Sequence, residues 1–201
     1  MGLPSAIYQR CLDGPWQTIH DVNFRIESND TDIYIFFEYT HDTSGWISNF
    51  DFFVEPYKDM PVKWLAHRGF VTLWKYVRDY IMAFVTQLMQ KKSRNIWVAG
   101  YSQGSALALL CYEDCVFRFK DVLIKGTGFG TPRVLWGLPT IKERFSNFAR
   151  YNVHGDIVSM VPPWWMGFRH VGKSFRVGPF NLPWWTHHRP EEYQSGLKYI
   201  A

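Results

Sequence analysis

Two kinds of apolar periodicity alternate along this chain of 201 residues, and a short turn joins them near its centre. Asn95-Ile96-Trp97-Val98-Ala99 is a compact β-rich run, whereas Ser105 to Phe117 has the composition of a largely buried helix. Between them stands Gly100-Tyr101-Ser102-Gln103-Gly104. Upstream, Ile33-Tyr34-Ile35-Phe36-Phe37 reads as a buried strand. From Val71 to Lys92 the positions Leu73, Val77, Ile81, Phe84, Val85 and Leu88 recur at helical spacing. Downstream, Val122-Leu123-Ile124, Ala149 to Val153 and Lys173 to Val177 read as further strands, and Glu191 to Tyr199 as a helix. Strands that alternate with helices imply βαβ units, so the expected fold class is α/β, with a mainly parallel sheet covered on both faces. The length suits one domain, and 47% apolar against 20% charged residues is the balance of a globular chain.

The central turn matches G-x-S-x-G, and its place between strand and helix is where a nucleophile elbow belongs. Small residues at Gly100 and Gly104 let such a turn close. The helix then starts beneath Ser102, and the backbone N–H of Gln103 can face a developing oxyanion. A serine hydroxyl is a poor nucleophile at neutral pH and needs a base held by an acid. In this arrangement the acid and then the histidine follow the serine along the chain. Asp156 directly follows a strand candidate and suits the acid. Asp121 precedes a strand and would lie at the opposite edge of the sheet.

Among the histidines after Ser102, His154 is too close to Asp156 to come from a different loop. His170 precedes a strand and suits a structural hydrogen bond. His187 and His188 lie in a late loop, as the order requires; His188 is favoured as the base, with His187 the alternative.

These segments together resemble the class 3 lipase family, typified by fungal triacylglycerol lipases, from about Ile33 to Tyr193. Val98 to Ser105 is similar to the family's nucleophile motif, and Ala66-His67-Arg68-Gly69-Phe70 to its His-x-Gly-Phe segment. Phe129-Gly130-Thr131-Pro132-Arg133-Val134 is similar to its Gly-Ser/Thr-Pro-Arg-Val run. Asn152 through Pro163 resembles the stretch that carries the acid, which falls on Asp156. His170-Val171-Gly172 matches a further His-x-Gly stretch, and His188 with Tyr193 resembles the base region. The resemblance implies an α/β-hydrolase fold, hydrolysis of carboxylic esters through an acyl-enzyme, and no metal or organic cofactor. It also puts Thr40 at a second oxyanion position. There the sequence departs from the family, with Phe37-Glu38-Tyr39-Thr40 in place of Phe-Arg-Gly-Ser/Thr. Tyr101 and Gln103 replace the commoner His and Leu beside the serine. The family's lid would fall on residues 43–53, where Trp46, Ile47, Phe50 and Phe53 share helical spacing.

Aromatic residues reach 18%, with ten Trp. Most must be core, because rings bury large areas. The proline-punctuated runs Pro162 to Phe168 and Phe180 to Trp185 instead read as surface loops, which makes Trp164, Trp165, Trp184 and Trp185, together with Trp46, candidate lipid-facing residues. They favour a long acyl chain or peripheral contact with a lipid interface over a small polar ester. A phospholipase A, a thioesterase and a non-catalytic lipid-binding protein on the same scaffold are the alternatives. The net charge of +4 is modest and its basic residues are scattered, which argues against nucleic acid as a partner.

No Cys/His cluster has zinc-ligand spacing. No apolar run approaches the roughly 20 residues of a membrane span. Three cysteines form no disulfide framework, with Cys111 and Cys115 read as buried small hydrophobes. The first residues lack a leader pattern, so the expectation is an intracellular, cytoplasmic protein.

Overall fold

The computed structural model describes residues 4–39, 53–57, 64–137, 143–178, 188–198 and 200. The chain opens with helix α1 (Pro4–Arg10), followed by strands β1 (Gln17–Ile19), β2 (Val22–Ser28) and β3 (Asp32–Phe37). Next come β4 (Val54–Tyr57), β5 (Trp64–His67), helix α2 (Arg68–Lys91), β6 (Asn95–Tyr101) and helix α3 (Gln103–Arg118). After β7 (Ile124–Phe129), β8 (Leu135–Trp136) and β9 (Phe148–Val153) come β10 (Phe168–Arg169), β11 (Lys173–Val177) and helix α4 (Pro190–Leu197).

The main sheet runs β1-β2-β3-β6-β7-β9-β11. From β3 to β11 every pairing is parallel; only β1 and β2 are antiparallel. This is the expected α/β class. Alternation of side chains divides the apolar residues between two faces. Ile33, Ile35 and Phe37 of β3, with Ile96 and Val98 of β6, meet the buried stripes of α2 and α3. Phe36, Ala99, Tyr101, Phe129, Val153 and Val177 point the other way, against Tyr8 of α1 and Tyr193 and Leu197 of α4. Helix α2 buries Phe70, Val71, Trp74, Val77, Ile81, Met82 and Val85, one stripe of an amphipathic helix. Helix α3 is buried from Gly104 to Cys115, as its unbroken apolar composition implies.

The third strand differs from its expected position. Val122 and Leu123 precede β7, which begins at Ile124 and continues through Gly126 and Gly128, residues of low strand propensity. A second, antiparallel sheet of order β10-β8-β5-β4 was not expected at all, and its strands are two to four residues long. The segment Pro162 to Phe168, expected as a loop, contains a 3₁₀ turn at Trp164–Met166, and Phe168 begins β10.

All three cysteines are buried and free of disulfides, and burial raises the Cys11 and Cys111 thiols above their usual range. Among the described residues no helix is long and apolar enough to cross a membrane, and no group of three His, Cys, Asp or Glu is placed to hold a metal.

Within α3 two acidic neighbours are buried, Asp114 against Arg78 and Arg118, and Glu113 against Arg144. Burial pushes the Glu113 carboxyl up to about 7, although Arg144 draws it the other way. The folded state therefore holds a proton that the unfolded chain has already lost once the pH passes about 4.5, so unfolding stability should fall as pH rises towards 7. The expected loss is on the order of 3 kcal/mol over that window. Glu113→Gln should remove this slope in thermal melts taken at intervals between those pH values. Parallel wild-type and variant curves would refute it.

Candidate active site

The site is built at the end of β6. Its backbone turns directly into α3, and Ser102 occupies the turn at φ 55° and ψ −125°. A side-chain-bearing residue in that region is strained, at a cost of about 1–3 kcal/mol, and persists only where the surroundings enforce it. Glycines on each side supply that enforcement. A Cβ at Gly100 would lie 2.2 Å from the Gly104 carbonyl oxygen, and one at Gly104 would lie 2.4 Å from that of Glu38. The Ser102 N–H donates to the Phe129 carbonyl at 2.9 Å, which ties the turn to β7. Gln103 is the first residue of α3, so its N–H lies at the positive end of a buried helix.

Asp156 lies three residues beyond β9 and is fully buried. Its Oδ1 accepts from the Val158 N–H at 2.8 Å, and the Ser159 hydroxyl donates to its backbone carbonyl at 2.7 Å. His188 comes from the segment that leads into α4. Its Nδ1–H donates to Asp156 at 2.9 Å, and its Nε2 accepts from the Ser102 hydroxyl at 2.8 Å. A carboxylate facing Nδ1 fixes the tautomer that leaves Nε2 able to accept the serine proton. Three side chains distant in sequence thus form one continuous hydrogen-bonded line.

Aromatic residues hold the imidazole in place. The Tyr101 ring stacks on it, centroids 5.1 Å apart and planes 21° from parallel, and the Tyr101 hydroxyl donates to the His188 carbonyl at 2.8 Å. Tyr193, on the first turn of α4, donates to Asp156 Oδ2 and accepts from the Val153 N–H at 3.2 Å. Burial, and next the Asp156 charge, raise the Tyr193 phenol well above its usual range, so it serves as a neutral donor. Tyr8 of α1 stacks on Tyr193 and donates to the Pro190 carbonyl. At Gly130, φ is +56°, and a Cβ would fall 2.8 Å from His188 Cε1; no other residue fits there without moving the imidazole. Tyr193 stood in the sequence as part of the region resembling the family's base segment. Its bond to Asp156, like the Tyr101 contacts with His188, joins remote segments and has no local signal.

The other expected residues are placed as follows. His170 donates from Nε2 to the Ser159 carbonyl at 2.7 Å, and burial lowers it to about 3, in keeping with a neutral structural histidine. Trp164 and Trp165 are 61% and 72% exposed. Thr40, Trp46, Trp184, Trp185, His187 and the lid segment up to Phe52 lie outside the described residues.

The profile of the family described as Lipase (class 3) matches residues 34–166. The lipase of Rhizomucor miehei is 31% identical over 192 residues, 89% of this chain and 49% of that protein. A secreted mono- and diacylglycerol lipase of Malassezia globosa is 28% identical over 139 residues, 67% of this chain and 44% of the relative. The chain thus spans about half the length of these curated relatives. Among solved structures, lipase II from Rhizopus niveus superposes with a TM-score of 0.72 at 26% identity, covering 83% of this chain and 67% of that one. A triacylglycerol lipase described as having a serine protease triad at its catalytic centre gives 0.72 at 25% identity, covering 88% and 73%. The fold is that of the α/β-hydrolases. The expectation of a cytoplasmic location is overturned, because the Malassezia globosa relatives are secreted lipases. Its premises carried no such signal: buried thiols pack as small apolar groups in any compartment, and the first residues of a chain half the length of its relatives do not report on export.

Tyr193→Phe deletes the donor to Asp156 and leaves the buried Val153 N–H without its acceptor. The expected loss of stability is about 1–3 kcal/mol in urea denaturation. A change of only a few tenths would show that neither bond matters to the fold.

Proposed function

This chain belongs to the class 3 lipase family, and we propose that it hydrolyses long-chain carboxylic esters through Ser102, His188 and Asp156. The observation that carries the reading is the line Ser102 Oγ, His188 Nε2, His188 Nδ1, Asp156, with hydrogen bonds of 2.8 and 2.9 Å. Ser102 Oγ attacks the ester carbonyl carbon while His188 Nε2 takes its proton. Asp156 orients the imidazole and stabilises its charged form. The carbonyl oxygen gains the negative charge, and the Gln103 N–H and Thr40 are the donors assigned to it; one such donor is typically worth about 2.7–4 kcal/mol. Collapse of the intermediate expels the alcohol, which takes the proton from His188. Water, deprotonated by the same nitrogen, then releases the fatty acid and restores Ser102.

Substrate class follows from the rim. Trp164, Trp165, Met160 and Met166 are exposed on the segment after Asp156, and the Trp136 indole N–H donates to the Met166 carbonyl at 2.7 Å, which extends the patch. Contiguous exposed apolar side chains of this size mark a binding face. Acylglycerols presented at a lipid surface suit it, with Trp46, Trp184 and Trp185 as further lipid-facing residues.

A fluorophosphonate probe should label the wild type and fail on Ser102→Ala, with ester turnover falling on the order of 10⁶-fold. His188→Ala should fall comparably while His187→Ala keeps its activity; the reverse outcome would move the base to His187. With p-nitrophenyl esters of rising chain length, kcat/KM should climb from acetate towards longer acyl groups. Activity confined to acetate would remove the lipase reading and leave a small-ester hydrolase.

A further inference from the structure

A second cleft, of about 460 Å³, lies behind the loop that carries Asp156. The register of the sheet assembles its floor. Arg150 of β9 sits opposite Ser174 of β11, and Asn152 opposite Arg176, so these four side chains share one face of the sheet. Phe148 continues that face into the core beneath α3, whereas Tyr151 and Val153 face the other side, towards α4. Arg133 closes the cleft from the opposite wall, where its guanidinium donates to the carbonyl oxygens of Met160 and Pro162. Gly155 and Ser159 also line the cleft, so it shares a wall with the acid loop.

The charge of this cleft is one-sided. Arg133, Arg150 and Arg176 line it, and no carboxylate does among the described residues. Arg150 is only 6% exposed, yet its one hydrogen bond among the described residues runs from Nε to the Val171 carbonyl at 2.7 Å. None of the three arginines has an ion-pair partner among the described residues, whereas the buried carboxylates Asp114 and Glu113 are each matched by an arginine. A buried guanidinium with no counter-charge is costly to maintain. Burial and the neighbouring Arg133 lower Arg150 to about 10, a second sign of uncompensated positive charge. Planar guanidinium groups that line one cleft with serine and asparagine side chains suit a tetrahedral oxyanion.

We propose that this cleft binds a phosphate-class oxyanion, held by Arg150 and Arg176 from its floor and by Arg133 from the facing wall. The oxyanion is either free phosphate or the phosphomonoester headgroup of an anionic lipid; the exposed Met160 at the cleft edge leads into the apolar Trp164–Met166 turn. The site is independent of Ser102 and its chemistry.

The test is binding of inorganic phosphate to the whole chain, by titration calorimetry at fixed ionic strength with chloride as the reference anion. A parallel arm uses sedimentation with phosphatidylcholine vesicles that contain or lack phosphatidic acid. Arg176 is exposed, so Arg176→Gln keeps the fold, which circular dichroism checks. This variant should bind phosphate, or the phosphatidic acid vesicles, at least roughly tenfold more weakly. Lys91→Gln removes the same charge from the distant end of α2 and should bind as the wild type does. Binding in the phosphate arm identifies a soluble anion as the source; binding in the vesicle arm alone identifies the headgroup. The proposal is overturned if neither arm responds, or if Arg176→Gln and Lys91→Gln behave alike.

Discussion

The close approach of α3 to β3 is the constraint from which the rest of the site follows. Gly104 passes so near the Phe37 and Glu38 carbonyls that no side chain fits between them, and Gly100 is pressed against Gly104 in turn. With both ends pinned, the intervening backbone is forced through the left-handed region at Ser102, which β-branched or bulky residues avoid. The strain is local, and the structure that opposes it is large. Helix α3 is buried along most of its length beneath a parallel sheet. Relaxing the turn would require α3 to leave the sheet and expose Leu107, Leu110 and Cys111. Ser102 thus stands at a fixed point because the core around it cannot yield.

The imidazole that meets this serine is held as firmly, and here the aromatic residues contribute. His188 lies outside every strand of the described residues, so it is side-chain packing that orients its ring. Tyr101 belongs to the rigid β6 and both stacks on the imidazole and anchors its backbone. Tyr193 ties the start of α4 to Asp156 and to the end of β9. Tyr8 links α1 to α4, which gives a seven-residue helix at the far end of the sequence a part in placing His188. Each tyrosine has two roles, as an apolar body filling the space above the sheet and as a hydroxyl satisfying a buried acceptor.

Period and local turn chemistry were legible where a segment decides its own structure. The unbroken apolar run of α3 and the strand at Lys173–Val177 could be read from the sequence, and so could the existence of α2. The buried stripe of α2 was legible only in part: Val77, Ile81 and Val85 are buried as expected, whereas Phe84 is exposed and Phe70, Trp74 and Met82 take further core positions. The turn at Ser102 and the loop position of Asp156 were equally local. What escaped depends on partners. The small antiparallel sheet joins strands too short to show alternation, and β7 is disguised by Gly126 and Gly128, which make room for Phe148 and Thr131 from neighbouring segments. Adjacent histidines cannot be separated by pattern alone, since only tertiary packing decides which ring meets Tyr101. Tyr193 was visible as a residue of the late region, but its bond to Asp156 spans 37 positions.

Strand β9 connects the two features at which local rules are broken. Its alternation sends Tyr151 and Val153 towards the α4 side, where the imidazole docks, and Arg150 and Asn152 to the opposite side. The loop beyond it closes on Asp156, which takes hydrogen bonds from His188 and Tyr193 on one flank, while Gly155 and Ser159 border the arginine cleft on the other. A positive φ at Ser102 and an unpaired guanidinium at Arg150 are each unfavourable taken alone. Natural sequences tolerate such departures chiefly at functional or strained positions, because elsewhere the same scaffold would be more stable without them. Among the described residues the Arg150 side chain bonds to Val171 and not to Ser102 or His188, and replacement by an apolar side chain would fill the same space at lower electrostatic cost. Its place beside Arg133 and Arg176, facing a cleft with no carboxylate among the described lining residues, points to a ligand on that side of the sheet.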